Sequence, residues 1–97
     1  MDSYVDQAKK EGATLVDVRG TGEFTQGHVE GAVNIPLQNI ATADKTLTDK
    51  NAAYYVYCLS GARSSKACAM LKKMGYANVT NIGGIGMYHG PVVTGAK

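Results

Sequence analysis

The order of apolar and polar positions along the chain predicts short buried strands separated by helical segments. Strands are expected at Leu15–Val18, Ala32–Ile35, Ala53–Tyr57 and Asn78–Ile82, and Pro36 ends the second of them. The run Ala53–Tyr57 is continuously apolar and aromatic, which suits a sheet that is covered on both faces. Strands that alternate with helices predict an α/β fold in which a mostly parallel central sheet is flanked by helices.

The helices are predicted from apolar spacing and from the residues at their ends. The most regular helix runs from Ser64 to Met74, where apolar residues recur at i, i+3, i+4 and i+7. Ser64 or Ser65 is expected to cap its N-terminus, and Gly75 to end it. Asp2–Glu11 is compatible with a second helix that stops before a glycine.

The remaining segments carry weaker patterns. Leu37–Ala43 is expected to form a short helix, and a helical turn is expected between Gly20 and Gly27. The stretch Thr42–Asn51 is polar and is expected to be exposed. The glycine-rich tail from Gly83 to Lys97 is expected to be irregular.

Length and composition indicate one small domain that spans residues 1–97 and has one core. The 97 residues are 44% hydrophobic and 19% charged, which is typical of an ordinary globular protein. No apolar run approaches the roughly 20 residues that span a bilayer, so no membrane span is expected. Two cysteines do not make a disulfide framework, and the polar N-terminus is unlike a signal peptide. A cytoplasmic location is therefore expected, or a periplasmic one if a leader has been removed.

Charge is distributed unevenly between the two halves of the chain. All eight acidic residues lie at or before Asp49, where four basic residues leave a net charge of −4, and from Lys50 onward there are six basic residues and no acidic one. An electropositive second half favours anions, although two oppositely charged solvated faces would give the same pattern. The basic residues are sparse and lack interleaved aromatic residues, so nucleic acid is not an expected partner.

Cys58 is the main candidate for chemistry. It ends the strand Ala53–Tyr57, enters a short loop that contains Gly61 and faces the N-terminus of the predicted helix. Backbone N–H groups and the helix dipole stabilise a thiolate there. At the usual pKa of about 8.5 only about 3% of a thiol is ionised at pH 7, so a downward shift of about two units would make a nucleophile. The alternative is a small buried hydrophobe, which is the expectation for Cys68 on the helix.

The residues that follow Cys58 form a candidate substrate-binding loop: Leu59, Ser60, Gly61, Ala62, Arg63 and Ser64. Gly61 is expected to adopt a positive φ so that successive N–H groups point at an anion, and Arg63 offers five donors for an oxyanion. Ser60 offers a hydroxyl donor to a bound sulfur. Alternatively, Ser60 is a turn residue and Arg63 is a solvated residue at the helix start. No second cysteine has the spacing of a zinc or dithiol site, so neither a metal nor another cofactor is expected.

Ligands of open parallel sheets bind beyond the carboxyl ends of the strands. Cys58 follows one predicted strand there, and Asp17 and Arg19 stand at the end of another. The topology therefore predicts that these three residues share a site.

Three segments of the chain, in order, resemble motifs of the rhodanese-like family. Leu15–Arg19, Glu23-Phe24 and Gly27–Pro36 are similar to its N-terminal signature, and Tyr57–Ser64 is similar to its active-site loop. Gly75-Tyr76 through Asn81–Gly84 is similar to its closing motif. The short length and the tail Gly90–Gly95 are most similar to small single-domain members of the phage-shock protein E type. One departure is the lack of any Trp, for which Tyr88 stands in.

The resemblance implies a thiosulfate sulfurtransferase. Cys58 would take the sulfane sulfur of thiosulfate as a persulfide, release sulfite and pass the sulfur to a thiol or to cyanide. Arg63 would hold the sulfonate oxygens, Asp17 and Arg19 would brace the site by ion pairs, and His28 would make a structural hydrogen bond. A persulfide carrier that serves a partner enzyme in a sulfur relay, with little turnover of thiosulfate, remains the alternative.

The number of residues between Cys58 and Arg63 distinguishes a loop that binds a sulfur atom from one that binds phosphate. Related phosphatases have five residues between Cys and Arg, enough to surround a phosphate, whereas four residues separate Cys58 from Arg63. The shorter loop favours a single sulfur atom and disfavours a phosphatase or an arsenate reductase.

Overall fold

A computed structural model describes residues 1–96 of the chain. Its helices are α1 (Asp2–Glu11), α2 (Thr21–Gln26) and α3 (Ala62–Lys73), and 3₁₀ segments lie at Leu37–Lys45 and Ile85–Met87. The strands are β1 (Thr14–Asp17), β2 (His28–Val29), β3 (Val33–Asn34), β4 (Ala53–Cys58), β5 (Asn78–Gly84) and β6 (Val92–Val93). Within these 96 residues, none of the helices is both long enough and apolar enough to span a bilayer.

Four strands form a parallel sheet in the order β3-β1-β4-β5. In this register Asp17 at the end of β1 lies beside Tyr57, the residue before Cys58. The predicted α/β fold with a mostly parallel central sheet is therefore confirmed. The carboxyl ends of β1 and β4 meet at one edge, which brings their side chains to one place.

Both faces of the sheet are covered, as the apolar run in β4 predicts. On one face Val56 packs with Leu71 of α3 and Ile40 of the first 3₁₀ segment. On the other face Tyr57 packs with Val5 of α1, and Phe24 of α2 belongs to the same cluster. Alternate side chains of one strand thus fill two apolar clusters, because successive residues point to opposite faces. The expectation of a single core is therefore wrong, since the sheet divides the interior.

Two expectations about the weaker segments are wrong. The region 42–51 is not simply exposed: Ala43 and Leu47 are buried, and the Tyr76 hydroxyl donates a hydrogen bond of 2.6 Å to the Leu47 carbonyl. The tail is not wholly irregular, because β6 pairs with β2 in a separate antiparallel ladder. Two-residue strands are too short to produce an apolar period, so the sequence pattern does not reveal them. Lys97, the end of the expected tail, lies outside the described residues.

A buried ion pair occupies the carboxyl end of β1. Asp17 is fully buried, and Arg19, also buried, donates to its carboxylate through Nη2 at 2.7 Å and through Nε at 3.1 Å. The same guanidinium donates to the Gly27 carbonyl at 2.6 Å, and the Asn34 amide donates to the carbonyls of Asp17 and Arg19 at 3.0 Å. These bonds join β1, β3 and the end of α2 into one unit.

We predict that Asp17→Asn destabilises the protein by about 3–5 kcal/mol, because the change leaves the buried Arg19 guanidinium without its counter-charge. Urea denaturation would measure the loss. The double variant Asp17→Asn/Arg19→Met is the control, and it should recover part of the stability because no buried charge remains. A loss below about 1 kcal/mol for the single variant, the value of an exposed pair, would contradict this account.

Candidate active site

The Cys58 thiol is buried at the end of β4, in a loop that folds back onto its sulfur. Only 1% of the residue is exposed. Gly61 has a φ of 107°, as predicted, and its amide nitrogen lies 3.0 Å from Cys58 Sγ as a hydrogen-bond donor. The Ser64 hydroxyl lies 3.5 Å from the same sulfur. The sulfur therefore faces backbone and hydroxyl donors at the N-terminus of α3, where the helix dipole also favours an anion.

The surroundings of Cys58 favour its thiolate. Burial by itself raises the pKa of the thiol, but hydrogen bonds from the Ser64 hydroxyl and from the amides of Ser64, Gly61 and Ser60 outweigh it and hold the pKa below the usual value. Cys68 shows the opposite behaviour, because burial raises the pKa of its thiol and Lys72 offsets this only in part. Cys68 packs in the core, as expected of a small hydrophobe.

Helix α3 begins two residues before its predicted start, so Ala62 and Arg63 belong to its first turn. Gly61 occupies the N-cap position without a side-chain cap, and the expectation that Ser64 or Ser65 caps the helix is wrong. The left-handed backbone of Gly61 aims its own N–H at the sulfur, and Ser64 is free of the capping role. Ser64 is buried and points to the site, whereas Ser65 is exposed.

Asn81 of β5 holds the loop in place, a role that no sequence pattern indicates beyond its position in the closing motif. Its side-chain oxygen accepts hydrogen bonds from the Ser64 hydroxyl at 2.7 Å and from the Gly83 amide at 3.0 Å. Its side-chain nitrogen donates to the Gly61 carbonyl at 3.2 Å. The Ser64 hydroxyl has one proton, so Asn81 and the Cys58 sulfur compete for it.

The end of β5 packs directly against the loop. A Cβ atom on Gly84 would overlap the Leu59 carbonyl and would lie 2.6 Å from the Ser60 Cα. The φ of Gly84 is −135°, an ordinary extended value, so space and not backbone strain requires glycine there. The Gly86 amide donates to the Leu59 carbonyl at 3.1 Å. Leu59 and Ser60 are thus fixed through their backbone, while their side chains are exposed.

Arg63 forms an ion pair with Glu23. No sequence pattern predicts this contact, and Glu23 is notable in the sequence only as part of a motif. Arg63 Nη1 and Nη2 lie 2.7 and 3.0 Å from the two carboxylate oxygens of Glu23. Glu23 also accepts a hydrogen bond from the Gly20 amide at 3.2 Å. The hydrogen bonds from Arg63, helped by Gly20, lower the pKa of Glu23 to about 2 despite some desolvation, so the carboxylate stays ionised. The guanidinium expected to bind substrate therefore already holds an anion.

An open pocket of about 330 Å³ lies beside the loop. Its walls are partly charged and partly apolar, and they consist of Arg19, Glu23, Gln26, Gly27, Leu59, Ile85 and Val92. Leu59 and Val92 expose about half of their surface, at 51% and 49%. The pocket brings residues that follow β1, residues of α2, the Cys58 loop and β6 to one opening. It gives access from solvent to Leu59 of the loop.

His28 is fully buried and makes a structural hydrogen bond, as predicted. Its Nδ1 lies 2.9 Å from the Phe24 carbonyl, and its ring stacks on Phe24 with centroids 3.7 Å apart.

Across residues 1–96, no three His, Cys, Asp or Glu side chains converge as a metal site. Arg19 and Asp17 lie at the end of β1 beside β4, and Arg19 reaches the pocket wall.

Residues 1–88 match the family model described as a rhodanese-like domain. The chain belongs to the rhodanese-like family. Thiosulfate sulfurtransferase PspE of Escherichia coli is 45% identical over 74 residues, which are 72% of this chain and 68% of that protein. A solved structure, a rhodanese with anions from E. coli, is 39% identical, superposes with a TM-score of 0.79 and aligns with 86% of this chain and 100% of its own.

Another relative carries a different name. The putative sulfur carrier protein YrkF of Bacillus subtilis is 35% identical over 72 residues, which are 74% of this chain and 38% of that protein. Taken together, these comparisons support sulfur transfer of the rhodanese type. The resemblance drawn from the three sequence motifs is therefore confirmed at the level of the family.

We predict that Ser64→Ala raises the pKa of the Cys58 thiol, because the thiolate loses a hydroxyl donor. The rate of alkylation by iodoacetamide follows the thiolate fraction, so its rise with pH should move to higher pH. Peptide mass spectrometry would separate Cys58 from Cys68. Ser65→Ala, on the exposed neighbour, is the matched control and should leave the profile unchanged. Identical profiles for the two variants would contradict the role of Ser64.

We predict that Gly84→Ala displaces the loop, since the added methyl group overlaps the backbone at Leu59 and Ser60. The expected loss of stability is about 1–3 kcal/mol, as for other overpacked sites. If Cys58 is the catalytic residue, its loading with sulfur should fall by about a hundredfold, the effect of a misplacement of about 1 Å. Gly22→Ala in α2 is the control for stability, because a Cβ there meets open space. Wild-type stability and loading in Gly84→Ala would refute the steric argument.

Proposed function

We propose that the protein is a thiosulfate sulfurtransferase that carries sulfur as a persulfide on Cys58. The observation that carries the proposal is the placement of the buried sulfur, 3.0 Å from the Gly61 amide and close to the Ser64 hydroxyl. Donors fixed in this way stabilise a thiolate, and other N–H groups of the same loop are available to the persulfide anion that replaces it. Four residues between Cys58 and Arg63 make a cradle suited to one sulfur atom.

The first step transfers sulfur to the enzyme. The Cys58 thiolate attacks the outer sulfur of thiosulfate and forms a new S–S bond. The S–S bond of thiosulfate breaks, and its electron pair leaves with sulfite. One thiolate and one dianion thus become one persulfide anion and one dianion, so charge is conserved. The amides of the loop remain paired with an anion throughout.

The second step returns the enzyme to its starting state. Cyanide, or the thiolate of a thiol acceptor, attacks the outer sulfur of the persulfide, and the Cys58 thiolate leaves. Neither step moves a proton, so the reaction needs a stabilised thiolate and no general base. The geometry of His28 fits this requirement, because its Nδ1 already lies against the Phe24 carbonyl.

A persulfide carrier is the second candidate, and specific observations favour it. Cys58 is almost wholly buried, and the guanidinium groups of Arg19 and Arg63 are both engaged by carboxylates. Such a site offers no unengaged cationic side chain for a small anionic donor. The relative named as a putative sulfur carrier is consistent with this alternative. In a carrier, sulfur would arrive from a partner's persulfide and leave to another protein of a sulfur relay.

We predict that thiosulfate releases sulfite from the wild-type protein and adds the mass of one sulfur atom to the Cys58 peptide. Cys58→Ser should abolish both, whereas Cys68→Ser, the matched control, should retain both because that thiol packs in the core. Mass spectrometry and a sulfite assay would give the two readouts. Full turnover by Cys58→Ser would overturn the proposal. Loading from a persulfide donor without turnover of thiosulfate would favour the carrier.

A further inference from the structure

Four charged side chains stand at the carboxyl ends of β1 and β4, and they form two ion pairs. Asp17 binds Arg19, and Glu23 binds Arg63. The two pairs differ in burial: the first is shielded from solvent, whereas Arg63 and Glu23 expose 36% and 40% of their side chains. The four side chains together contribute no net charge, and the second pair is the more exposed to a ligand in solution.

Glu23 is held so that its carboxylate matches the Arg63 guanidinium. The Gly20 amide fixes one carboxylate oxygen, and each oxygen faces one terminal nitrogen of Arg63 in a two-pronged contact. Such paired geometry is the one by which arginine recognises carboxylates and other oxyanions. Glu23 also lines the pocket beside Leu59. It therefore occupies the position in which oxygens of an anionic substrate would meet Arg63.

We propose that Glu23 is a specificity-determining residue that competes with anionic ligands for Arg63 and so biases the site toward uncharged ones. A sulfonate-bearing donor such as thiosulfate must either displace the Glu23 carboxylate or approach it against charge repulsion. A neutral sulfane-sulfur donor, such as a dialkyl trisulfide, neither displaces the Glu23 carboxylate nor is repelled by it. The class of donor that this inference names rests on the proposed function, but the competition for Arg63 can be tested without sulfur transfer.

The expected size of the effect follows from the exposure of the pair. An exposed ion pair contributes at most about 1 kcal/mol, which corresponds to about a fivefold change in a rate or an affinity. Glu23→Gln removes the charge but keeps the shape, and its side-chain oxygen can still accept from the Gly20 amide. Glu30→Gln is the matched control, because Glu30 lies exposed between β2 and β3 and loses the same formal charge.

The first experiment compares two alkylating reagents of similar size on Cys58, iodoacetate and iodoacetamide. Both react with the same thiolate, so the ratio of their rates cancels any change in the pKa of Cys58. Glu23→Gln should raise the ratio of iodoacetate to iodoacetamide by about fivefold at low ionic strength, the effect expected of one exposed pair. The gain should shrink at about 1 M salt, where the screening length is about 3 Å. Glu30→Gln should leave the ratio unchanged.

Two results for the ratio of the iodoacetate rate to the iodoacetamide rate would overturn the proposal. An unchanged ratio in Glu23→Gln would mean that Glu23 does not exclude anions. A lower ratio would mean that Glu23 positions Arg63 to bind them. The double variant Glu23→Gln/Arg63→Gln should not show the raised ratio, because the cation that attracts iodoacetate is gone. A raised ratio that persists without Arg63 would also contradict the competition for Arg63.

The second experiment measures KM and kcat with thiosulfate. Glu23→Gln should lower the KM about fivefold and leave kcat near the wild-type value, because the change affects anion binding and not the sulfur cradle. A KM that does not fall would overturn the inference as applied to thiosulfate. If neither protein turns over thiosulfate while the alkylation ratio rises as expected, the proposed function fails and the competition for Arg63 stands.

Discussion

A carboxylate without any exposed surface is stable only when a cation and hydrogen-bond donors surround it, and Asp17 sets this constraint on the fold. Arg19 meets the requirement two residues later, where β1 has ended. Its guanidinium also binds the Gly27 carbonyl, which fixes the start of β2. The ion pair thus anchors the segment that carries Glu23, and it lies beside Tyr57, the residue before Cys58. Structural stability and site geometry share this one interaction.

The cradle around Cys58 depends mostly on backbone atoms. Amides of the loop and of α3 face the sulfur, and Asn81 holds the Gly61 carbonyl and the Ser64 hydroxyl from the neighbouring strand. Gly84 allows β5 to approach the loop backbone more closely than any side chain would permit. Backbone donors are held by the fold, so in the proposed cycle little reorganisation would accompany the change from thiolate to persulfide.

Local patterns predicted the parts of the fold that depend on local forces. The bounds of α1, the strand β4 and the position of Cys58 at its end follow from apolar runs and turn residues. The ladder of β2 and β6 pairs His28 with Val93 and Val29 with Val92, 65 and 63 positions apart, and each strand is too short for a periodic signal. The pairing of Arg63 with Glu23 bridges 40 positions, so its geometry depends on where the fold places these two side chains. Such contacts are tertiary, so one sequence does not encode them in a readable pattern.

The net charge of a segment of the sequence does not give the local charge at the site. The second half has six basic residues and no acidic one, which favours an anion-attracting site around Cys58. Folding instead brings Glu23 from the acidic half onto Arg63 of the basic half. Because charge acts through distance in space, the local field at the mouth of the site is not the sum over a half of the sequence. What remains uncompensated at the sulfur is the set of backbone N–H groups, and these act at hydrogen-bond range.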